Sequence, residues 1–274
     1  MAQKYTLRRR GADKHRLYEL SVQDPAFEVQ LATKHYRRRR GTRPVVLRED
    51  FCGTAAVACH WVDAHKGNRA IGLDLDAETL AWAGEHNVAS LGDAADRIDL
   101  RLRDVRSVTR PRADVVQAFN FSCYLFHPLP ELVAYLRCVR SSLAPGGIVM
   151  LDGYGGWESG QAVSDRRTVK SPDGTFGYVW DQAAFNPVDN LATCHIHFEF
   201  RNGKRWKKAF TYRWRLYSPA ELRDALLAAG FERVEVLWDV DDDAERSDFR
   251  AATRAEHCAG WLFYAVAEAP IPSR

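Results

Sequence analysis

Acidic side chains follow three short apolar segments in the first half of the chain. Glu49 lies at the end of PVVLRED, Asp74 near the end of the next such segment, and Asp104 at the end of the third. Gly53 follows the first segment, where a glycine lets the backbone turn sharply and come close to a ligand. An acid after the second strand of such a unit can accept both hydroxyls of a ribose. The spacing therefore predicts a nucleoside-binding cleft.

Only a parallel sheet would bring these residues together, and the surrounding pattern predicts one. Apolar segments of strand length alternate with helical segments from residue 44 to about residue 155. Right-handed crossovers make such a chain a doubly wound sheet, and ligands bind at the carboxyl ends of its strands. Two later apolar segments complete an expected seven strands, and the polar stretch between them is expected to be a loop leading into a short helix. The predicted fold class is α/β with a mostly parallel sheet.

Two parts of the chain break this alternation. Residues 1–43 are basic with apolar residues at helical spacing, and Asp24 with the proline after it marks the start of a helix. Residues 160–217 contain three strand-like segments, the last two separated by an Asn-Gly hairpin signal. We therefore expect an N-terminal helical cap over 1–43 and a main domain over 44–274. Within that domain, the β-rich insertion over 160–217 is expected to lie over the active site.

Composition narrows the remaining possibilities. The net charge is +3, and no apolar run approaches the roughly 20 residues of a membrane-spanning helix. The N-terminus lacks the apolar core of a signal peptide, and the six cysteines include no CxxC pair. These features predict a cytoplasmic protein with reduced thiols, no metal site and no membrane contact. The basic run Arg37–Arg40 could contact RNA, but cations are favoured at helix ends, so we expect no nucleic-acid partner.

Three segments carry a resemblance to a known family. They are LREDFCGTA after the first predicted strand, NFS after the fourth, and YELSVQDP ahead of the main domain. In these segments the chain resembles the class I S-adenosylmethionine-dependent methyltransferases, and within them bacterial proteins of loosely assigned substrate. The resemblance is strongest over residues 44–155, weaker over 216–267 and weakest in the helix around residues 18–28. It implies a Rossmann-like fold, S-adenosyl-L-methionine as the cofactor and methyl transfer as the reaction.

The resemblance also implies a role for each matching residue. Glu49 would lie near the amino group of the cofactor's methionine portion, Asp74 would bind the ribose, and Asp104 would accept from the adenine amino group. The implied cofactor contacts are Tyr18, Glu49, Phe51, Gly53, Asp74, Leu75, Asp104, Val105, Ala118 and Asn120. Phe51 and Ala55 stand where the family usually has the first and third glycines of its loop, which leaves the path of the loop open. Asp74 and Asp104 could instead cap following helices.

Methyl transfer from a sulfonium depends on positioning and on the exclusion of water more than on a catalytic triad. An aromatic pocket with one or two polar groups is therefore expected beyond the fifth strand. The candidate catalytic residues are Tyr154, Trp157, His195, His197 and Tyr212. For the two histidines three interpretations stay open, namely a metal site, a general base or acceptor contact, and an exposed polar strand face.

The insertion favours a small acceptor, because it can enclose one. We therefore predict in-line methyl transfer to a small-molecule acceptor. The alternatives are an RNA or protein methyltransferase, a NAD-dependent oxidoreductase, and a protein that binds adenosyl ligands without turnover. The depleted glycine loop and the lack of a Tyr-x-x-x-Lys pair count against the oxidoreductase. The oligomeric state, the atom methylated and the use of a base are not predicted.

Overall fold

The computed structural model describes residues 5–239 and 248–272. Its helices are α1 (Lys14–Val22), α2 (Pro25–Arg40), α3 (Ala56–Ala64), α4 (Ala77–His86), α5 (Leu129–Ser142) and α6 (Pro219–Ala228). Its strands are β1 (Val46–Asp50), β2 (Arg69–Asp74), β3 (Ile98–Leu102), β4 (Ala113–Ala118), β5 (Leu143–Gly155), β6 (Val163–Ser171), β7 (Gly174–Asn186), β8 (Leu191–Glu199), β9 (Arg205–Arg215), β10 (Glu232–Asp239), β11 (Phe249–Ala251) and β12 (Trp261–Glu268). No helix in these two ranges is long and apolar enough to cross a membrane.

The chain divides into two compact units. Of the described residues, the sheet unit comprises 24–153, 217–239, 248–256 and 262–272, and the insert unit comprises 5–23, 154–216 and 257–261. The division falls between α1 and α2, because α1 packs with the insert unit and α2 with the sheet unit. The domain limits expected from the sequence stay a prediction.

The sheet unit contains an eight-stranded sheet in the order β11-β10-β12-β5-β4-β1-β2-β3. Strands β3, β2, β1, β4 and β5 pair in parallel, whereas β10 pairs antiparallel with β11 and β12. The predicted α/β class and its mostly parallel sheet are confirmed, and all seven expected strands are present. The eighth strand, β11, was not expected. The sequence predicted a short helix in this stretch, and that prediction is wrong, because the buried Phe249 lies in an edge strand. Residues 240–247 of the same polar stretch lie outside the described residues.

Helices cover both faces of this sheet. Because successive residues of a strand point to opposite sides, neighbouring residues of β1 contact helices on opposite faces. On β1, Glu49 accepts a hydrogen bond from the Ala58 N–H of α3, whereas Asp50 accepts one from the Tyr135 hydroxyl of α5. The face under α2 and α3 buries an apolar core that includes Val29, Leu31, Leu47, Trp61, Val115 and Ile148. Parallel pairing brings the carboxyl ends of β1, β2, β4 and β5 to one edge of the sheet.

The insert unit contains a four-stranded antiparallel sheet in the order β6-β7-β8-β9. Helix α1 packs on it, and Arg167 of β6 donates a hydrogen bond to the Ser21 carbonyl of α1. Ile196, Phe198 and Phe200 are part of this unit's core. The sequence indicated three of the four strands. It missed β6 because most of that strand is polar and exposed.

Candidate functional site

Glu49, at the end of β1, is a buried carboxyl group. Its side chain accepts a hydrogen bond of 2.8 Å from the Ala58 N–H, and the residue is 7% exposed. No ion pair to Glu49 is found within residues 5–239 and 248–272. Burial raises its pKa to about 8, and the negative charges of Asp74 and Asp50 add to that rise. No cation among the described residues therefore balances the Glu49 carboxylate, and an ammonium group of a ligand could do so.

The loop after β1 keeps a left-handed backbone at three alternate positions, although only one of them is glycine. The φ angles of Phe51, Gly53 and Ala55 are 56°, 51° and 56°. Left-handed backbone costs an L residue about 1–2 kcal/mol, so packing must hold the two non-glycine residues in place. The Phe51 ring lies 6.0 Å from the ring of Phe126, and Ala55 is fully buried. The loop thus follows the path of a glycine-rich turn despite its substitutions.

Asp74, at the end of β2, fastens this loop. Its Oδ2 accepts a hydrogen bond of 2.8 Å from the Gly53 N–H, and its Oδ1 accepts one of 2.9 Å from the Asp76 N–H. The cap of α4 is Asp76, which accepts from the Glu78 and Thr79 N–H groups. Asp74 is therefore no helix cap, and its oxygens keep lone pairs for ligand hydroxyls. Leu75, beside it, is 68% exposed.

Asp104, after β3, forms an ion pair with Arg106. The guanidinium Nη2 lies 2.6 Å from its Oδ2, and the Arg106 N–H donates to Oδ1 at 2.8 Å. The Arg106 hydrogen bond lowers the pKa of Asp104, so the acid is ionised and can accept a hydrogen bond. The next residue, Val105, is buried.

Arg48 positions the Asp104–Val105 loop, although no pattern in the sequence predicted this role. This fully buried guanidinium pairs with Asp50 at 2.6 Å and donates to the carbonyl oxygens of Val105 and Ser107. The Tyr135 hydroxyl donates to the same Asp50 carboxylate at 2.8 Å. An arginine in a short buried strand gives no pattern signal of its own, since its partners come from distant segments.

The loop after β4 is held by an acid on β5. The N–H groups of Asn120 and Phe121 each donate to the Asp152 carboxylate at 2.8 Å. Both donors have a left-handed backbone, with φ of 57° and 60°. Burial raises the pKa of Asp152 to about 7. Asn120 and the buried Ala118 therefore lie beside Glu49's strand at the same edge, because β4 pairs with β1.

Six of the sequence candidates belong to the insert unit, whereas the acids just described belong to the sheet unit. Tyr154 lies in an aromatic cluster in which its ring centroid is 6.2 Å from that of Trp214 and 6.4 Å from that of Trp180. Tyr212 stacks on Trp214 at 4.4 Å. Burial raises the pKa of both Tyr154 and Tyr212, so their hydroxyls stay protonated at neutral pH. They can donate hydrogen bonds there but cannot act as bases.

His195 and His197 are engaged within the insert sheet. His197 accepts at Nδ1 from the Lys208 N–H at 2.8 Å, so its proton lies on Nε2, 3.1 Å from an oxygen of Asp181. His195 Nδ1 lies 2.9 Å from the Thr211 hydroxyl, and burial lowers its pKa. No group of three or more metal-ligating side chains is found in the described parts of the chain.

Trp157 and Tyr18 also belong to the insert unit. Trp157 is 51% exposed and its ring lies 5.1 Å from that of His257. Tyr18 packs at 5.0 Å from the ring of Phe210 and makes a side-chain hydrogen bond with Tyr212. A cofactor contact of Tyr18 and a catalytic role of Trp157 stay predictions.

Comparison with known proteins identifies the fold. Residues 52–149 match the family described as "Methyltransferase domain", a range that runs from the loop after β1 into β5. No curated protein matches the chain in sequence. Similar solved structures are numerous, and each of the three given below is aligned over more than nine-tenths of its own length and of this chain.

One is Streptomyces venezuelae DesVI, with TM-score 0.70, 20% identity, and coverage of 96% of this chain and 99% of that chain. A second is an S-adenosylmethionine-dependent methyltransferase from Clostridium acetobutylicum ATCC 824, with TM-score 0.68, 17% identity, and coverage of 93% and 97%. A third is CalS10, an amino pentose methyltransferase from Micromonospora echinaspora, solved with S-adenosylmethionine bound, with TM-score 0.66, 17% identity, and coverage of 92% and 95%. The chain therefore has the Rossmann-like fold of the S-adenosylmethionine-dependent methyltransferases.

Proposed function

We propose that this chain is an S-adenosylmethionine-dependent methyltransferase that acts on a small molecule carrying an amine. The observation that carries the proposal is Glu49, a buried carboxyl group that has no ion-pair partner among the described residues and lies at the edge where β1, β2, β4 and β5 end. Ligands of doubly wound sheets bind at that edge. An ammonium group on the bound cofactor would neutralise the carboxylate and donate hydrogen bonds to it.

The residues present fit this cofactor. Glu49 would bind the ammonium of the methionine portion, and the left-handed loop at Gly53 would let the backbone approach it. Asp74 would accept from the ribose hydroxyls, for which its carboxylate has free lone pairs. The adenine amino group would donate to Asp104, with the exposed Leu75 against the ring. When bound, the cofactor supplies a methyl group already activated on a sulfonium.

An amine acceptor is supported by the aromatic cluster of the insert unit. Trp180, Tyr212 and Trp214 lie with ring centroids between 4.4 and 6.4 Å apart. Aromatic faces attract cations, and methylation of an amine gives a cationic product. CalS10, which has the same fold, acts on an amino pentose. Positioning of the acceptor and exclusion of water contribute more to such a reaction than acid–base chemistry does.

Calorimetry with S-adenosylmethionine, S-adenosylhomocysteine and NAD in parallel tests the cofactor. We expect both adenosyl ligands to bind and NAD not to bind. Asp74→Ala should weaken adenosyl binding by about 1–3 kcal/mol, since it removes hydrogen bonds to the ribose. Asp63→Ala, at an exposed position on α3, serves as the matched control. NAD binding, or an Asp74→Ala variant with unchanged affinity, would contradict the assignment.

The acceptor is tested by the release of S-adenosylhomocysteine with amino sugars, RNA and peptides as substrates. We expect turnover with members of the amino sugar panel. Turnover confined to RNA or peptides would refute the small-molecule acceptor. Adenosyl binding with no turnover on any class would point to a binding protein instead.

A further inference from the structure

Two buried oxygen atoms beside Glu49 have no hydrogen-bond donor in the described parts of the chain. One is Oε2 of Glu28 on α2, and the other is Oε1 of Gln117 on β4. The two residues are 7% and 1% exposed. A buried acceptor without a donor costs about 1–3 kcal/mol, so two of them close together call for an explanation.

The backbone places both residues on the face of the sheet that carries Glu49. Gln117 on β4 is directly paired in register with Glu49 on β1, and paired residues of parallel strands point to the same side. The Gln117 Nε2 donates to the Glu28 carbonyl at 3.1 Å, which ties the amide to α2. The Glu28 carboxyl group is close enough to Glu49 and Asp152 for their charges to raise its pKa further above the value set by burial.

The charged neighbours that act on Glu28 are all acids. They are Glu49, Asp152 and Asp24. If Glu28 is protonated, its hydroxyl could donate to one of the two unpaired oxygens, but a neutral carboxyl group supplies no positive charge to balance Glu49. An ammonium group supplies both a positive charge and three N–H donors. A sulfonium supplies the charge but no donor, and so does not account for orphan acceptors.

We propose that Glu28 and Gln117 complete, with Glu49, a three-acceptor site for the ammonium group of the cofactor's methionine portion. This inference rests on the proposed function. It assigns α2 a direct part in cofactor binding, through residues that the sequence analysis did not select. It also makes the amino group, rather than the carboxylate or the adenosine, the part of the ligand that these two residues recognise.

A ligand series at one pH tests the assignment. The probes are S-adenosylhomocysteine, its decarboxylated analogue, which keeps the amine, and 5′-methylthioadenosine, which lacks it. Dissociation constants are measured by calorimetry for the wild type, Glu28→Gln and Glu85→Gln. Glu85 is an exposed glutamate on α4, so its variant removes the same charge away from the site.

We expect Glu28→Gln to weaken the two amine-containing ligands by about tenfold or more, because a hydrogen bond from the ammonium to a carboxylate is replaced by a weaker one to a neutral amide. Binding of 5′-methylthioadenosine should stay within about twofold, and Glu85→Gln should leave all three constants unchanged. Gln117→Met is the second variant, and it should show the same selectivity for the amine with a smaller loss. Thermal unfolding of each variant confirms that it is folded.

Unchanged binding of S-adenosylhomocysteine by Glu28→Gln, or an equal loss for all three ligands, would overturn the inference while leaving the proposed function intact. A wild type that binds none of the three ligands would overturn the proposed function itself. The two failures are therefore distinct.

Discussion

Glu49→Gln should change how the stability of the ligand-free protein depends on pH. The carboxyl group has a pKa of about 8 in the folded chain, against an ordinary value of 4.5. Because the folded value is raised, the stability linked to this group is fully present below about pH 4.5. It is lost as the pH rises towards 8. The glutamine keeps an acceptor for the Ala58 N–H but cannot ionise, so the variant does not suffer this loss.

The magnitude follows from the width of that interval. Each pH unit between the two pKa values costs about 1.4 kcal/mol of folding free energy. Between pH 5.5 and pH 8, the wild type should therefore lose about 3 kcal/mol that Glu49→Gln retains. Asp152, whose raised pKa has no contribution from Glu49, acts on both proteins alike, whereas Glu28, whose pKa the charge of Glu49 raises, adds to the difference with the same sign.

Urea unfolding at the two pH values measures this difference. The free energy of unfolding of Glu49→Gln, relative to the wild type, should rise by about 3 kcal/mol from pH 5.5 to pH 8. Glu85→Gln, which removes an exposed carboxylate from α4, controls for the general effect of one less charge. If the stability of Glu49→Gln relative to the wild type is the same at both pH values, the pKa of Glu49 is not raised by burial as described here.

Three further predictions follow from the same sheet edge. Gly53→Ala should destabilise the fold by about 1–2 kcal/mol because its φ is 51°, although the added Cβ meets no atom closer than 4.0 Å. Gly84→Ala within α4 should instead stabilise the fold by about 1 kcal/mol, because alanine favours a helix more than glycine does. Thermal unfolding of the two variants checks both values. Arg48→Met should lower the free energy of unfolding by about 3–5 kcal/mol, because it leaves the buried Asp50 without its cationic partner. Arg106→Met, which breaks the half-exposed pair with Asp104, should lower it by less than about 1 kcal/mol. Equal losses in urea unfolding would contradict this. Binding of S-adenosylhomocysteine near pH 7 should release a proton from Glu49, seen as a binding enthalpy that varies with the ionisation enthalpy of the buffer; an enthalpy independent of the buffer would count against an ammonium at Glu49.

Much of the fold could be predicted because its strands are short apolar runs between clear turn signals. The inner parallel strands β4 and β5 are buried on both faces, so their sequences are rich in apolar residues. The edge strands β6 and β11 escaped prediction for the opposite reason. The first is mostly polar and exposed, and the second has only three residues. Neither carries a periodic pattern that distinguishes a strand from a loop.

The site was predictable to the extent that its residues follow strands. Asp74 lies at the end of its strand, and pairing of parallel strands brings it to the same edge as Glu49. Arg48 and Glu28 were not predicted, because their significance comes from partners that only folding brings near. The loop at Phe51 shows a different limit, since packing allows a bulky residue to keep a backbone conformation that sequence rules reserve for glycine.

A crystal structure with S-adenosylhomocysteine bound would locate the cofactor site. We expect the ligand's amino group within hydrogen-bond distance of Glu49 and the ribose hydroxyls on Asp74. The sheet unit also has a groove of about 420 Å³ between α6 and strands β10 and β11, lined by Arg223, Trp238 and Arg254 among others. A ligand bound in that groove, with Glu49 and Asp74 untouched, would contradict the account.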